Sequence, residues 1–481
     1  MGSLKEECGV VGVLGHPDAA KMVYLGLFAQ QHRGQEGCGI VSLDHSGIEG
    51  SQPTKFHVHK SFGLVAESFN EEILARLTGD HAIGHVRYST QGGHTIENIQ
   101  PFHFRTGLGP LAIAHNGNLT NAAELRTELE ASGSLFQSTS DTEVFVHLIA
   151  RAEAPNMLGR IFSAMAKVSG AYSMVVQCED RLFAVRDSFG FRPLVLGRRN
   201  DSYIVASETC ALDIMDAEFI REVSPGEVVE ITRAGMTSHF PLAKRKTAFC
   251  SFEPIYFARP DSRIFGEEIY VLRRRMGEIL ARQAPANDAD IVIAVPDSGV
   301  PMAMGFAKVS GLPFELGLVR NHYVGRTFIQ PAQDIRDFAV RLKLNPVLSV
   351  LKGKSVVVVD DSIVRGTTSE KIIRMVRQAG AKKIHLRVGS PPITHSCFYG
   401  VDTPSRSKLL AAQKDVESIR ASLGCDSLAY LSIEGLREAL AEKGEGRFCT
   451  ACFSGQYPEP VHADIPPQPT DRHGPGLSAS C

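Results

Sequence analysis

The stretch KSVVVVDDSIVRGTTSEKIIRMVRQAG, residues 354–380, decides the fold of the second half of this 481-residue chain. Val356–Val359 form an unbroken β-branched run, which is typical of a strand buried on both faces of a sheet. Ile372, Ile373 and Val376 then repeat at helical spacing. The stretch therefore predicts a strand, a loop and a helix, which together form the βα unit of a parallel sheet.

The loop that joins this strand to this helix carries polar groups suited to a phosphate and a metal ion. Those residues are Asp360, Asp361, Ser362, Arg365, Gly366, Thr367 and Thr368. Backbone and hydroxyl donors at a helix N-terminus form a cradle for phosphate. A carboxylate pair can bind ribose hydroxyls or a Mg²⁺ ion carried by a diphosphate. A simpler alternative is a turn with a solvated acidic pair and a Thr or Ser helix cap.

A second stretch of the same kind is DIVIAVPDSGVP, residues 290–301. It predicts another buried strand followed by a turn at PDSG. The pattern VVVVDDSIVRGTTS resembles the phosphoribosyl pyrophosphate (PRPP) signature of type I phosphoribosyltransferases, which implies a domain of that fold with a parallel sheet. The resemblance implies that residues 362–369 bind the 5′-phosphate of PRPP. It also implies that Ser298, Asp360 and Asp361 lie at the Mg²⁺ ion.

The first half of the chain, to about residue 245, alternates short β-rich runs with a few helices. The runs are bounded by Gly, Asp, Asn or Pro, and helical stretches cover 122–132 and 142–154. This mixture favours a layered α/β structure with mainly antiparallel sheets. Strands that alternate with helices begin only after residues 241–262, which indicates a domain boundary there.

Cys8 begins the first of these runs, CGVVGVLG. A cysteine at a chain N-terminus combines a nucleophile with a base, because its thiol attacks while its α-amine, of pKa about 7.7–8.0, moves the proton. Removal of residues 1–7 as a propeptide would expose that amine. A buried structural thiol on the first strand is the alternative.

Four motifs follow Cys8 in the first half of the chain. They are QQHRGQEGCGI at 30–40, GHVRYST at 84–90, AHNGNLTN at 114–121 and STSDTEVF at 138–145. Together they resemble the class II, N-terminal-nucleophile (Ntn) glutamine amidotransferases. The resemblance implies an Ntn-hydrolase αββα sandwich in the first half of a multi-domain α/β protein.

The resemblance also implies roles for residues within these motifs. Arg87 would pair with the α-carboxylate of glutamine, a task for which a planar guanidinium is suited. Asn116 and Gly117 would donate N–H groups to the oxyanion of the tetrahedral intermediate, and Asp141 would bind the α-amine. Arg33 looks like part of a loop that shapes the same pocket. The plainer explanations are a surface charge for Arg87, an Asn-Gly turn, and a capping box for Asp141.

The pairing of these two modules resembles the glutamine PRPP amidotransferases over nearly the whole chain, including IYFARPDS at 255–262 and NHYVGRTFIQP at 321–331. It implies that ammonia released at Cys8 passes inside the protein to ribose C1 of PRPP, as the first committed step of de novo purine synthesis. Tyr256 would line the passage, and the loop Tyr323–Gln330 would close over PRPP. An alternative from another class is a PRPP-sensing regulatory protein without turnover.

The predicted organisation has a propeptide over residues 1–7, an Ntn glutaminase domain over 8–240, a phosphoribosyltransferase domain over 250–457 and a disordered tail over 458–481. The resemblance further implies glutamine and PRPP as substrates, a homotetrameric assembly, and feedback inhibition by purine nucleotides.

Four of the ten cysteines, Cys250, Cys397, Cys449 and Cys452, are candidate metal ligands. By count alone, redox, zinc, iron–sulfur and purely structural explanations all compete. The surrounding segments TAFCSFEPIYFARPDS, PPITHSCFYGVDTP and CTACFSGQYP resemble the cluster-bearing branch of the family. The resemblance implies that these four residues bind one [4Fe–4S] cluster.

Composition excludes several classes of function. The residues are 43% hydrophobic and 22% charged, and the formal net charge is −2, which is ordinary for a globular chain of two or three domains. Such a chain lacks the basic surface of nucleic-acid-binding proteins. No apolar run reaches the roughly 18 residues needed to span a bilayer. We therefore expect a cytoplasmic enzyme without nucleic-acid or membrane partners.

Overall fold

The computed structural model describes residues 8–44, 55–88, 95–321, 344–441 and 447–460. In the described part of the first half, the strands are β1 Gly9–Leu14, β2 Gly37–Asp44, β3 Lys55–Phe62, β4 His81–Arg87, β5 Phe102–Thr106, β6 Gly109–Leu119, β7 Gly170–Gln177, β8 Leu182–Arg186, β9 Val195–Arg199, β10 Ser202–Ala206, β11 Glu218–Glu222, β12 Val228–Thr232 and β13 Gly235–His239. The helices are α1 Ala19–Ala29, α2 Val65–Ser68, α3 Glu71–Arg76, α4 Ala122–Ala131, α5 Thr142–Arg151, α6 Met157–Met165 and α7 Cys210–Ile214, with a 3₁₀ turn at Ile96–Asn98.

These strands form two antiparallel sheets that stack face to face. One sheet has the order β11-β9-β10-β1-β4-β2-β3, and the other has the order β13-β12-β8-β7-β6-β5. Alternate residues of the two sheets meet in a buried apolar layer, which includes Val10 and Ile83 from the first sheet and Ala114 and Val175 from the second. The outer face of the first sheet packs on α1 and α7, and that of the second sheet packs on α4, α5 and α6. The predicted αββα sandwich is confirmed.

The second half contains shorter elements around a parallel sheet. Its described strands are β14 Phe249–Cys250, β15 Arg263–Ile264, β16 Glu267–Glu268, β17 Ile291–Ala294, β18 Leu318–Arg320, β19 Leu344–Pro346, β20 Ser355–Asp360, β21 Lys383–Val388, β22 Ser427–Tyr430 and β23 Phe448–Cys449. Its described helices are α8 Ile269–Gln283, α9 Val300–Ser310, α10 Leu348–Leu351, α11 Thr367–Gln378, α12 Leu410–Gln413, α13 Val416–Leu423, α14 Ile433–Ala439 and α15 Ala451–Ser454, with a π-helical turn at Glu253–Phe257 and a 3₁₀ turn at Arg406–Lys408.

The parallel sheet has the order β17-β20-β21-β22, and the Val-rich strand β20 lies at its centre, buried on both faces. One face packs on α8 and α9, and the other packs on α11 and α13. Strand β20 and helix α11 are the elements that the 354–380 pattern predicts, so the expected type I phosphoribosyltransferase fold is confirmed.

The C-terminal segment returns to the junction between the two halves. Strand β23 pairs in parallel with β14, which sets Cys250 beside Cys449. Farther along, the Glu459 carboxylate accepts a hydrogen bond of 3.0 Å from the Gly170 backbone N–H and one of 2.9 Å from Arg245. Described contacts therefore extend to Glu459, inside the segment predicted as a tail, while residues 461–481 lie outside the described part.

Helices α8 and α9 approach each other through glycine. A Cβ atom on Gly277 would lie 1.8 Å from the Met302 carbonyl oxygen, and one on Gly305 would lie 2.0 Å from the Arg274 carbonyl oxygen. Both atoms belong to backbone, so the helices must separate to admit even one methyl group. No helix in the described residues is long and apolar enough to cross a membrane.

The substitution Gly277→Ala is expected to lower stability by about 1–3 kcal/mol, since it overpacks a backbone contact. The measurement is the midpoint of thermal or urea unfolding. Gly107→Ala serves as the control, because a Cβ there meets nothing within 4 Å. Equal unfolding midpoints for the two variants would contradict the close packing of these helices.

Candidate active sites

Cys8 lies directly before β1, at the end of the first sheet where β4 finishes. Gly9 pairs with Val86, so the next step of the antiparallel register brings Cys8 beside Arg87. The Cys8 thiol donates a hydrogen bond of 3.3 Å to the Tyr88 carbonyl oxygen. The Arg33 Nε–H donates one of 3.0 Å to the Cys8 carbonyl oxygen. The chain at Cys8 is therefore fixed on both sides.

Burial raises the pKa of the Cys8 thiol to about 11, although its contacts with the Tyr88 backbone and the Arg87 charge oppose the shift. The Asp141 charge adds to the increase. At neutral pH the sulfur therefore carries its proton, and attack on an amide requires a base. While residue 7 is attached, the nitrogen of Cys8 is part of a peptide bond and is not basic.

Asn116 and Gly117 lie in the middle of β6, in the second sheet. The Asn116 side chain is 1% exposed, and its Nδ2 has no hydrogen-bond partner among the described residues. Gly117 has a φ of +151°, and a Cβ there would lie 2.0 Å from the Ala171 carbonyl oxygen. Position 117 therefore requires glycine. The Asn116 amide is a buried donor that has no hydrogen-bond partner within the described fold.

A hydrogen bond between histidines connects this part of β6 to β4. The His85 Nε2–H donates 3.1 Å to the His115 carbonyl oxygen, and burial lowers the pKa of His85 to about 3, so the ring is neutral. His85 precedes Arg87 by two residues, and His115 precedes Asn116. The bond therefore holds together the parts of β4 and β6 that carry the predicted carboxylate-binding and oxyanion residues.

Asp141 is the residue before α5, yet its side chain does not cap that helix. Its Oδ2 instead accepts a 2.8 Å hydrogen bond from the Leu119 backbone N–H at the end of β6. Glu143 accepts from the backbone N–H groups of Gln137 and Ser138, at 2.8 and 2.7 Å. Helix capping therefore does not account for Asp141, whose carboxylate lies against the strand of Asn116 and Gly117.

In the second half, Asp360 and Asp361 occupy the carboxyl end of β20, as the pattern predicts. The two side chains are 8% and 6% exposed. The hydroxyls of Ser298 and Ser362 both donate to the Asp361 carboxylate. Ser298 belongs to the turn after β17, the strand paired with β20, so the two predicted βα turns meet at one edge of the sheet.

Burial raises the pKa of both carboxyls, and at Asp360 the neighbouring charge of Asp361 adds to the shift. Hydrogen bonds from Ser298 and Ser362, and then the charge of Arg273, oppose the increase at Asp361. Two adjacent buried acids with oxygen ligands beside them are a chemical fit for a divalent cation. Arg273 is itself 2% exposed and is a cation that the motifs did not indicate.

The loop after these acids forms the N-terminus of α11. Gly366 precedes the helix with a φ of +77°, which favours glycine. Thr367 begins the helix, and Arg365 and Thr367 are exposed while Thr368 is half-buried. This loop thus places hydroxyl residues and the free backbone N–H groups of a helix N-terminus together, as an anion site requires. The predicted closing loop Tyr323–Gln330 lies outside the described residues.

A separate apolar cavity is lined by all four candidate cysteines, together with Phe191, Phe252 and Tyr399. Burial raises the pKa of the Cys449 thiol to about 12 and also raises that of Cys452 well above its usual value, and the nearby sulfur of Cys397 adds to both shifts. No disulfide involves the cysteines of the described residues. No group of three or more His, Cys, Asp or Glu side chains there is arranged as ligands of one metal ion.

Sequence patterns assigned no role to Arg192, Glu208, Glu253 or Ser390. The three charged side chains are fully buried, and a charge inside an apolar run, as in FEPIYF, is the signal that could have indicated a buried partner. The Ser390 hydroxyl is buried after β21 with no hydrogen-bond partner in the described part of the chain. It lies at the same carboxyl edge of the sheet as Asp360.

Two family models match the chain in the expected order. A glutamine amidotransferase domain matches residues 85–213, and a phosphoribosyl transferase domain matches residues 269–388. The amidophosphoribosyltransferase of Bacillus subtilis is 46% identical over 465 residues, which cover 96% of this chain and 96% of that protein. The chloroplastic amidophosphoribosyltransferase 3 of Arabidopsis thaliana is 52% identical over 457 residues, covering 95% of this chain and 84% of that protein. The chain belongs to the amidophosphoribosyltransferase family.

Solved structures agree with this assignment. One, described as the allosteric regulatory enzyme of purine biosynthesis, superposes with a TM-score of 0.90 at 46% identity and covers 95% of this chain and 97% of its own. The glutamine PRPP amidotransferase of B. subtilis, solved with ADP and GMP, has a TM-score of 0.89 at 45% identity, covering 95% and 98%. The enzyme uses glutamine and PRPP to form 5-phosphoribosylamine, glutamate and pyrophosphate, the first committed step of purine synthesis. These findings give no support to the regulatory alternative without turnover.

Proposed function

We propose that Cys8 is the nucleophile that releases ammonia from glutamine, and that the pocket around Asp360 and Asp361 consumes this ammonia on PRPP. The observation that carries the proposal is the convergence of charges at Cys8. Arg87 and Asp141, which are far apart in the sequence, both act on its thiol. We further propose residues 1–7 as a propeptide, 8–240 as the glutaminase domain, 250–457 as the transferase domain and 458–481 as a tail.

In the first reaction, the Cys8 sulfur attacks the amide carbon of glutamine. Its proton passes through the α-amine, which becomes available when residues 1–7 are removed, to the departing nitrogen. The C–N bond then breaks, ammonia leaves, and water hydrolyses the thioester to glutamate. Arg87 and Asp141 bind the α-carboxylate and α-amine of the substrate, while Asn116 Nδ2 and the Gly117 N–H stabilise the oxyanion. The partnerless Asn116 amide supports this assignment.

In the second reaction, the ammonia nitrogen attacks ribose C1 and pyrophosphate leaves with the bonding electrons. Ser362, Arg365, Gly366, Thr367 and Thr368 bind the 5′-phosphate through backbone and side-chain donors. Ser298, Asp360 and Asp361 would hold one Mg²⁺ ion, which supplies positive charge for the departing pyrophosphate. The buried acid pair orients the ribose in the pocket.

Tyr256 is proposed to line the passage for ammonia between the two pockets. It lies in the π-helical turn Glu253–Phe257, and its carbonyl oxygen accepts a 2.9 Å hydrogen bond from Arg273. The ring contacts Phe252 and Phe257. Apolar walls suit neutral ammonia, because they exclude the water that would protonate it.

We propose one [4Fe–4S] cluster in the cavity formed by Cys250, Cys397, Cys449 and Cys452. Thiols crowded in an apolar cavity repel one another once ionised, and a soft cation removes that penalty, which supports the assignment. The group would tie β14 to β23 and would strengthen folding. Zinc is the competing occupant, since it takes the same four ligands.

The cellular location, regulation and assembly of the enzyme are also inferred. We propose a cytoplasmic location, and the absence of disulfides among the described cysteines supports it. Purine nucleotides are proposed as feedback inhibitors, because the B. subtilis relative was solved with ADP and GMP. A homotetramer remains our expectation for its assembly.

Cys8→Ala is expected to abolish glutamine-dependent synthesis of phosphoribosylamine and to leave synthesis from PRPP and ammonium within about twofold, because only the first pocket loses its nucleophile. Both reactions are measured by pyrophosphate release. Intact mass of the unmodified chain should show loss of residues 1–7. Glutamate release that survives in Cys8→Ala would overturn the proposal.

Asn116→Ala is expected to lower kcat for glutamine hydrolysis by roughly 10²–10³-fold, the usual effect of losing one oxyanion donor. Stability should hardly change, since the amide has no partner in the described structure. Gln177→Ala is a matched control, because that buried amide also has no partner there and pairs with Ala112, far along β6 from Asn116. Equal glutaminase activity in the two variants would remove Asn116 from the site.

Protein purified without oxygen is expected to contain about four iron atoms and four sulfides per chain. Cys452→Ser should lose most of that iron, and Cys178→Ser, a buried cysteine outside the cavity, should retain it. Elemental analysis and visible absorption provide the measurement. A colourless protein with one zinc per chain would show that the cluster assignment is wrong.

A further inference from the structure

Strand β6 carries a second buried asparagine, Asn118, two residues beyond Asn116. Both positions pair in register with β7, so the strand is extended through this region. Side chains two residues apart on an extended strand lie on the same face. Ala114, two residues before Asn116, lies in the layer between the two sheets. Both asparagines therefore face the sheet whose first strand follows Cys8.

The orientation of the Asn118 amide is fixed by the second half of the chain. Its Nδ2 donates a 2.9 Å hydrogen bond to the Phe398 carbonyl oxygen. Close by, a Cβ on Gly400 would lie only 3.1 Å from the Gly117 Cα, so this loop packs tightly on β6. Because a carbonyl oxygen can only accept, the amide atom that meets it is the nitrogen. The other amide atom, Oδ1, is therefore an acceptor.

This acceptor is buried and unused. Asn118 is 8% exposed, and its Oδ1 has no hydrogen-bond partner in the described parts of the chain. A buried acceptor without a donor destabilises a fold, and native structures leave few of them. The Oδ1 atom thus indicates a ligand that brings an N–H or O–H donor into the first pocket.

Together, the unpaired atoms of Asn116 and Asn118 match a primary carboxamide. Asn116 offers a donor, Nδ2, and Asn118 offers an acceptor, Oδ1. A carboxamide presents the complementary pair, since its oxygen accepts and its nitrogen donates. The two side chains leave the strand about 6–7 Å apart, at the usual rise per residue. Two hydrogen bonds of about 3 Å each, with the short carboxamide between them, span a similar distance.

The α-amine of glutamine is a competing donor for the same acceptor. Leu119, the residue after Asn118, donates its backbone N–H to the Asp141 carboxylate, and that carboxylate is the proposed ligand of the α-amine. An ammonium group gains more from a carboxylate than from a neutral amide, so Asp141 is its better partner. The amide nitrogen of glutamine, in contrast, has no acceptor among the residues assigned above to the first pocket.

We propose that Asn118 Oδ1 accepts a hydrogen bond from the amide nitrogen of glutamine, which makes Asn118 the residue that distinguishes this substrate from glutamate. The proposal rests on the proposed roles of Cys8 and Asn116 in the first pocket. The carboxylate of glutamate has no N–H to donate, and its charge faces the Oδ1 lone pairs. When the C–N bond breaks, the nitrogen leaves as ammonia and still has N–H groups, so the same bond holds it beside Phe398.

The test compares two substrates of Asn118→Leu, glutamine and the γ-methyl ester of glutamate, with PRPP present. The ester keeps the carbonyl, the α-carboxylate and the α-amine, but its leaving group has no N–H. Glutamate release is measured for glutamine and methanol release for the ester. The ratio of kcat/KM for glutamine to that for the ester should fall about 5–10-fold, as expected for the loss of one buried hydrogen bond. Glutamate should also become a stronger inhibitor relative to the KM of glutamine.

Three variants serve as controls. Asn121→Leu is the matched one, because the Asn121 amide donates to the Lys167 carbonyl oxygen and accepts from the Ser169 N–H, each at 2.9 Å; the ratio should not change. Asn116→Ala should slow both substrates alike, since both form the oxyanion. Asn118→Asp keeps an acceptor oxygen and should not lower the ratio. Asn118→Ala replaces Asn118→Leu if the larger side chain prevents folding.

Three outcomes would overturn the role of Asn118. An unchanged ratio with unchanged rates would show that the side chain does not meet the amide. A parallel loss of both activities would show that it binds the α-amine or only supports the loop at Phe398. A ratio that falls equally in Asn118→Asp would assign the effect to the Phe398 bond. Glutamate release that survives Cys8→Ala is a separate result, because it removes the nucleophile assignment itself.

Discussion

Four buried charges hold the two halves of this enzyme in one arrangement. Arg33, Arg192, Glu208 and Glu253 have no exposed side-chain surface, and removing each ion from water costs on the order of several kcal/mol. The cost is offset because opposite charges alternate and the remaining donors bind main-chain carbonyl oxygens, including that of Cys8. Such a buried charge network is stable in very few geometries. The relative placement of the pockets follows from it.

The proposed nucleophile of the first pocket and the acid pair of the second both lie at the end of a strand. Cys8 and Arg87 are neighbours because β1 and β4 pair side by side, and the acid pair ends a strand buried on both faces. Strand ends are rigid, and the side chains beyond them are held to within the tolerance that chemistry requires.

Much of the fold could be predicted from local sequence, because a buried strand or helix has a recognisable local pattern of apolar residues. The run Val356–Val359 indicated a central strand, and the structure gives that strand as Ser355–Asp360. The local sequence around Asp141 predicts a capping box, but the Asp141 carboxylate accepts its hydrogen bond from β6 instead. The sequence could not reveal the partnership of Arg33 and Glu253, which are 220 residues apart. Pairing between distant charges depends on how two layers dock, and no short pattern records it.

The close approach of Gly400 to Gly117 has a consequence for biosynthesis. The loop at Gly400 packs against β6, the strand that carries the proposed oxyanion residues. The ribosome makes this loop long after β13 of the sandwich. At ordinary elongation rates this delay is on the order of 10–30 s. During that interval the nascent sandwich lacks the residues that pack against Gly117, so this side of β6 is completed only after most of the second half of the chain has been synthesised.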